Sequence, residues 1–335
     1  MFKRLFFPVL IGCLFISCKD QDMKDDGKIK VGLVFDVGGR GDKSFNDAAY
    51  KGLERAKNEL GIEFEYIEPG TGADREAALR QFSVRKDIKL VLGIGFIFTD
   101  EITKMANEFP DKKYACVDYT ITPGKKIPDN LIALVFKEEE GSFLVGAIAG
   151  LTTKANKVGF VGGMESPLIR KFLVSYEAGV KHVNPGCVVL TAYAGITGDA
   201  FKNPSRGKEL ALSQYNMGAD IIYHASGITG LGVFEAAREK GKFAIGVDLD
   251  QSSEAPGLVL TSMIKIVDVA VFETIKKVAE GKFQGGKVET FGLETGGVDY
   301  VYNESNKNLI NTDVRDKVEQ LRLEIIKGNI SIPTR

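Results

Sequence analysis

The sequence has no tryptophan and only two histidines, His182 and His224, among 335 residues. A histidine-rich metal centre is therefore excluded. Nucleophilic catalysis that needs an imidazole base has at most those two candidates. Proline is scarce, at 10, while glycine reaches 38. Many glycines without many prolines suit an α/β protein with tight turns, not a disordered chain. An excess of one charge is missing too: 44 basic residues stand against 45 acidic ones, a net charge of -1. That balance argues against a nucleic-acid-binding protein, which would carry a basic excess or patch. At roughly 150 residues per domain, the length suggests about two domains. Each can bury a full core without disulfides or metal.

One long apolar run stands at the start. Leu5 to Ser17 follows the basic pair Lys3 and Arg4 and is too short to span a bilayer permanently. It ends at Ser17-Cys18, and the polar stretch Lys19 to Gly27 follows. A small residue before a cysteine at such a boundary resembles a bacterial lipoprotein signal. Residues 1–17 would then be the signal peptide, Cys18 the lipidated N-terminus and residues 18–27 a tether. Acyl chains contribute about 0.8 kcal/mol per buried methylene, so a multiply acylated cysteine holds the protein on a membrane of the cell envelope. An ordinary secretory peptide with Cys18 incidental is the alternative. Cleavage before Cys18 removes Lys3 and Arg4, leaving 42 basic against 45 acidic residues and a charge of -3. Cys116 and Cys187 each lie in an apolar, strand-like run, where a free thiol packs as a small hydrophobe. A disulfide between them stays open at this level.

From Lys28 onward, strand and helix patterns alternate. Short β-rich runs are expected at Ile29–Phe35, Glu63–Ile67, Lys89–Gly93, Lys113–Tyr119 and Leu131–Phe136. Helical spacing separates them at Ser44–Leu60, closed by Gly61, and at Ala73–Arg85 and Thr99–Glu108. The series then restarts with helices over 139–151, 167–182, 205–217 and 232–240, each leading to a strand, then a strand over 258–264 and a helix over 267–280. An amphipathic helix is expected over 313–327. Such alternation implies parallel sheets with helices on both faces, in two doubly wound halves.

In open parallel sheets, ligands bind beyond the carboxyl ends of the strands. After the first strand comes Asp36-Val37-Gly38-Gly39-Arg40-Gly41-Asp42-Lys43-Ser44-Phe45-Asn46. Its glycines lack the spacing of a phosphate loop. Ser44 reads as the helix N-cap. Phe45 and Asn46 offer a stacking plane beside a hydrogen-bonding edge, although core packing alone would also explain Phe45. Asp118 and Asp248 each follow an apolar strand, and Lys265 ends another. Unpaired carboxylates are costly to bury, so these belong at the strand-end mouth. Hard cations want more oxygen ligands than this set supplies. Hydroxyl groups suit it better, since a carboxylate accepts O–H bonds and lysine donates. An aromatic plane with hydroxyl-seeking charges describes a nucleoside, with no cofactor and no metal.

The run Val31 to Asn46, with Asp42-Lys43-Ser44-Phe45-Asn46, resembles the opening motif of the basic membrane protein family. These are substrate-binding lipoproteins related to purine nucleoside receptors. Phe160-Val161-Gly162-Gly163-Met164, Ile169-Arg170-Lys171-Phe172, Asn203-Pro204-Ser205-Arg206-Gly207-Lys208 and Gly246-Val247-Asp248 match as well. The resemblance implies a type I periplasmic binding protein fold, with two doubly wound parallel-sheet lobes and a ligand cleft between them. It also implies a monomer that delivers solute to an ABC transporter permease. On this reading Phe45 stacks on a purine, Asn46 and Asp36 read its polar edge, and Asp118, Asp248 and Lys265 hold the ribose. Phe201 is the candidate for a second aromatic face, although Gly195 to Ala200 looks irregular. Three crossings are implied, with lobe one at 28–135 plus 261–288 and lobe two at 136–260 plus 289–335.

Other classes fit the sequence less well. A binding protein of the same fold for a sugar or autoinducer would make less use of Phe45. A nucleoside hydrolase or phosphorylase would need a nucleophile–base pair, and none is visible. His182 falls at a helix end, where a cationic residue is ordinary, and His224 ends a strand near the cleft. A transcription regulator of related fold would need a DNA-binding segment where residues 1–27 read as signal and tether.

Overall fold

The computed structural model describes residues 28–70 and 74–335. The signal, the tether and Cys18 lie outside the described residues. Among the described residues, twelve strands form two six-stranded sheets. The first contains β1 (Lys30–Val34), β2 (Glu63–Ile67), β3 (Ile88–Ile94), β4 (Lys113–Val117), β5 (Leu131–Phe136) and β11 (Lys287–Phe291), in the order β11-β5-β4-β3-β1-β2. The second contains β6 (Lys157–Met164), β7 (Val188–Gly195), β8 (Ile221–Ala225), β9 (Phe243–Asp248), β10 (Val259–Lys265) and β12 (Val298–Tyr300), in the order β12-β10-β9-β8-β6-β7. Every strand pairing is parallel except β10 with β12. The central strands are buried on both faces, as their near-continuous apolar runs require.

The helices cover these sheets. α1 (Phe45–Leu60) packs on α8 (Val267–Ala279) in the first lobe, where α2 (Asp74–Ser83) lies beside α3 (Thr99–Glu108). In the second lobe α4 (Glu138–Thr152) packs on α5 (Pro167–Val183), and α6 (Pro204–Asn216) on α7 (Thr229–Lys240). α9 (Thr312–Ile326) lies against α4 and buries Val314, Val318, Leu321 and Ile325. Gly61 takes the left-handed conformation that ends α1, as its position suggests.

The chain passes between the sheets three times, after β5, after β10 and after β11. The sheets set the crossings later than residues 261 and 289. β10 stays in the second sheet to Lys265, because it pairs with β9 and β12. β11 stays in the first sheet to Phe291, because it pairs with β5 along its whole length. Lys137 N–H donates to the Phe291 carbonyl at 2.8 Å, so the first and third crossings run side by side. Cys116 and Cys187 are free and buried.

Candidate ligand-binding site

The loop from β1 into α1 is organised by one carboxylate. Asp42 accepts backbone N–H bonds from Ser44 at 2.9 Å, Asn46 at 2.8 Å and Asp47 at 3.0 Å. Three of the first orphan donors of α1 are thus satisfied by a residue ahead of the helix. Ser44 takes the N-cap position the sequence suggests, but its side chain makes no capping bond. Its hydroxyl instead donates to Asp248 Oδ2 at 2.5 Å, across to the other lobe. Asn46 is held from both ends: Oδ1 accepts from Asp36 N–H at 3.0 Å, and Nδ2 donates to Asp42 at 3.1 Å. One amide hydrogen of Asn46 remains, and Asn46 lines the cavity.

Asp36, Phe45, Asn46, Asp118, Phe201, Asp248 and Lys265 come together on one cavity between the lobes. Asp118 and Asp248 have left-handed backbones, with φ of 60° and 66°. Aspartate tolerates that region better than most residues, and strained backbone concentrates at functional sites. Phe201 ends a 3-10 turn, Gly198–Phe201, placed by the irregular segment after β7. Gly163 makes room for it: a Cβ there would stand 2.3 Å from the Phe201 ring. Phe96 meets Phe201 edge-on, with ring centroids 6.4 Å apart.

Lys265 is fully engaged. Its Nζ lies 2.6 Å from Asp118 Oδ1, 2.9 Å from Glu138 Oε1 and 5.0 Å from the centre of the Phe45 ring. Burial disfavours its charge, but Asp118, Glu138 and Asp248 outweigh burial and hold the ammonium above its ordinary range. Glu138 also pairs with Lys171, and the two lysines overcome burial there, leaving this carboxylate lowered. At Asp36 and Asp248 burial dominates and pushes each carboxyl up to about 7. Asp118 is raised as well, by burial against the pull of Lys265. Both of its oxygens lie against the ammonium, Oδ1 at 2.6 Å and Oδ2, which accepts the hydrogen bond, at 2.7 Å.

Sequence reasoning passed over several residues here. Glu138 opens α4 in a run of three acids and reads as dipole compensation. Phe96, Leu168, Ile169, Phe172, Ser226 and Val247 also line the cavity. Ile169, Phe172 and Val247 sit in stretches that match the family, which is their signal in the sequence. His224 is buried in β8 and does not line the cavity, and His182 is exposed on the last turn of α5. The walls carry four carboxylates, Asp36, Asp42, Asp118 and Asp248, against one lysine. Such a site favours a ligand that donates hydrogen bonds and repels an anion.

The model of a protein family described as ABC transporter substrate-binding protein PnrA-like matches residues 29–335. Basic membrane protein A of Borreliella burgdorferi is 34% identical over 339 residues, covering 100% of this chain and 96% of that protein. An uncharacterized lipoprotein of Pyrococcus abyssi is 36% identical over 309 residues, covering 88% of this chain and 74% of that protein. Among solved structures, a solute-binding protein of an ABC transporter system from Aeropyrum pernix superposes with a TM-score of 0.84 at 31% identity. It covers 92% of this chain and 94% of its own. The two parallel-sheet lobes are those of the type I periplasmic binding proteins.

Proposed function

The chain belongs to the PnrA-like family of ABC transporter substrate-binding proteins, and from that premise we propose that it binds a purine nucleoside between its lobes. It is a solute-binding protein and not an enzyme. The observation that carries the nucleoside reading is the shared cavity. Aromatic rings, Phe45, Phe96 and Phe201, line it together with the carboxylates Asp118 and Asp248 and the ammonium of Lys265. Rings stack on any base, and carboxylates accept the paired hydroxyls of ribose. Phe45 and Phe201 contact the base, Asp36 and Asn46 its polar edge, and Asp118, Asp248 and Lys265 the sugar. Bound solute passes to an ABC permease, with the protein acting as a monomer. Cys18 carries the lipid that holds it on the outer side of a bacterial membrane. That anchor is supported by the Ser17-Cys18 boundary and by relatives named lipoprotein and basic membrane protein.

Isothermal titration with guanosine, inosine, adenosine and ribose tests the reading. Nucleosides should bind far more tightly than ribose, and Phe45→Ala should lose about 1–3 kcal/mol, the worth of one base–aromatic stack. Tighter binding of free ribose than of any nucleoside would overturn it.

A further inference from the structure

Two polar bridges between the lobes, Ser44 to Asp248 and Lys265 to Asp118, use residues at the cavity. A third does not. Gln251 follows β9, is 1% exposed, and lies outside the cavity lining. Its Oε1 accepts the Val247 N–H at 2.8 Å. This fixes which way the amide points, because an NH₂ group there would set donor against donor. The same oxygen lies 3.1 Å from His224 Nε2, so that nitrogen carries the hydrogen. His224 Nδ1 then accepts from the Ser226 hydroxyl, at 3.4 Å, and Ser226 lines the cavity. Gln251 N–H donates to Ser262 Oγ at 3.1 Å. Everything that orients Gln251 thus belongs to the second lobe. Its remaining group, Nε2, donates to the Lys43 carbonyl of the first lobe at 3.0 Å. Lys43 has φ of 54° and immediately precedes Ser44, Phe45 and Asn46. A lysine adopts that conformation only where its surroundings hold it.

We infer that Gln251 is a positioning residue for lobe closure. Its amide is preset by Val247, His224 and Ser262, meets the Lys43 carbonyl when the cleft is shut, and so seats the Phe45 loop over the bound solute. The inference needs a solute held between the lobes; it does not rest on that solute being a nucleoside.

Gln251→Glu isolates the cross-lobe bond. The carboxylate keeps an oxygen for Val247 and His224 but turns the donor facing Lys43 into a second oxygen. The probe is radiolabelled guanosine, chased with unlabelled nucleoside. At pH 8 the variant should release it about five- to thirtyfold faster than the parent, the range for losing one hydrogen bond and stranding its carbonyl. Association should stay within twofold. At pH 5 the protonated Glu offers an O–H to Lys43, and the ratio to the parent should fall towards one. Measuring the parent at each pH cancels the titration of Asp36, Asp42, Asp118 and Asp248, and Gln251→Ala, which removes the partner of His224, separates the titration of that imidazole from the latch. Gln251→Ala should also release faster, without rescue at pH 5. Release by Gln251→Glu within twofold of the parent at pH 8, or a ratio equal at both pH values, would overturn the latch. Should the parent bind no nucleoside, the nucleoside reading fails by itself. The latch is then judged from distances between spin labels at Glu59→Cys and Glu209→Cys, on opposite lobes. Gln251→Glu must deplete the short-distance population at pH 8, and identical distributions overturn the latch.

Discussion

The Lys265 ammonium is 2.9 Å from Glu138 on its own lobe and 2.6 Å from Asp118 on the other. Both contacts are buried, Lys265 at 2% and Glu138 at 1% side-chain exposure. The two partners do different work. Asp118 belongs to the first lobe, so its contact with Lys265 crosses between the lobes, whereas Glu138 and Lys265 lie on the same lobe. Glu138 also compensates Lys171, which donates to the Phe136 carbonyl at 3.0 Å beside the first crossing. Removing one member of a buried charge set strands the others, at about 3–5 kcal/mol. Glu138→Gln should therefore lower ligand-free stability by about 3 kcal/mol, read from urea unfolding midpoints. It should also weaken solute binding, because Lys265 would then lean wholly on Asp118 and compete with the ligand for it. An unchanged midpoint would mean that Asp118 and solvent suffice for both lysines.

α4 and α5 bring these residues to the cleft, and glycine lets them do so. A Cβ on Gly179 would stand 2.0 Å from the Phe143 carbonyl, and one on Gly146 2.2 Å from the Tyr176 carbonyl. The backbones of the two helices therefore run in contact. Gly179→Ala should push them apart at about 1–3 kcal/mol, the scale of overpacking, and lower the melting temperature of the protein. Because α4 starts with Glu138 and α5 carries Ile169 and Phe172, solute affinity should fall with it. An unchanged melting temperature would contradict the close contact. Elements of this kind were legible in the sequence where a pattern extends over many residues. Helix Thr99–Glu108 appears at its expected limits, and Glu63–Ile67 does too. β11 and β12 were not: the alternation of strand and helix breaks after α8, and β12 is only three residues long and antiparallel at a sheet edge. Strand ends pointed to Asp36, Asp118, Asp248 and Lys265, since a charge after an apolar run has few places to go. Asp42 and Glu138 stayed hidden for a physical reason. Glu138 acts through Lys265, far along the chain, and Asp42 through N–H groups only two to five residues on, yet each looks locally like an ordinary acid at a helix start.

The buried acids give the whole molecule an unusual response to pH. Burial raises Asp36 and Asp248 to about 7 and Asp42 to about 6. A raised carboxyl binds its proton more tightly in the native state than in the unfolded chain. These three groups therefore favour folding fully below about pH 4, and lose that contribution as pH climbs to 7. Asp87, lowered to about 2 chiefly by its bond to Arg85, behaves the other way, but only below about pH 4. His224, lowered to about 4 by burial, also opposes them, between about pH 4 and 6.5, but it is one group against three. Ligand-free stability should thus decline between pH 5 and 7.5. Solute binding should run opposite to it. Hydroxyl donors favour the ionised carboxylate, so a solute that binds through hydroxyls lowers these raised carboxyls and expels protons. Affinity should accordingly rise with pH, by up to about tenfold per unit for each proton released, and level off above 7. Titrations between pH 5 and 8, in pairs of buffers with different ionisation enthalpies, count those protons directly. Uptake instead of release, or an affinity flat across the range, would mean that the solute does not use these carboxylates as acceptors. The site would then have to hold it through its rings and Lys265 alone.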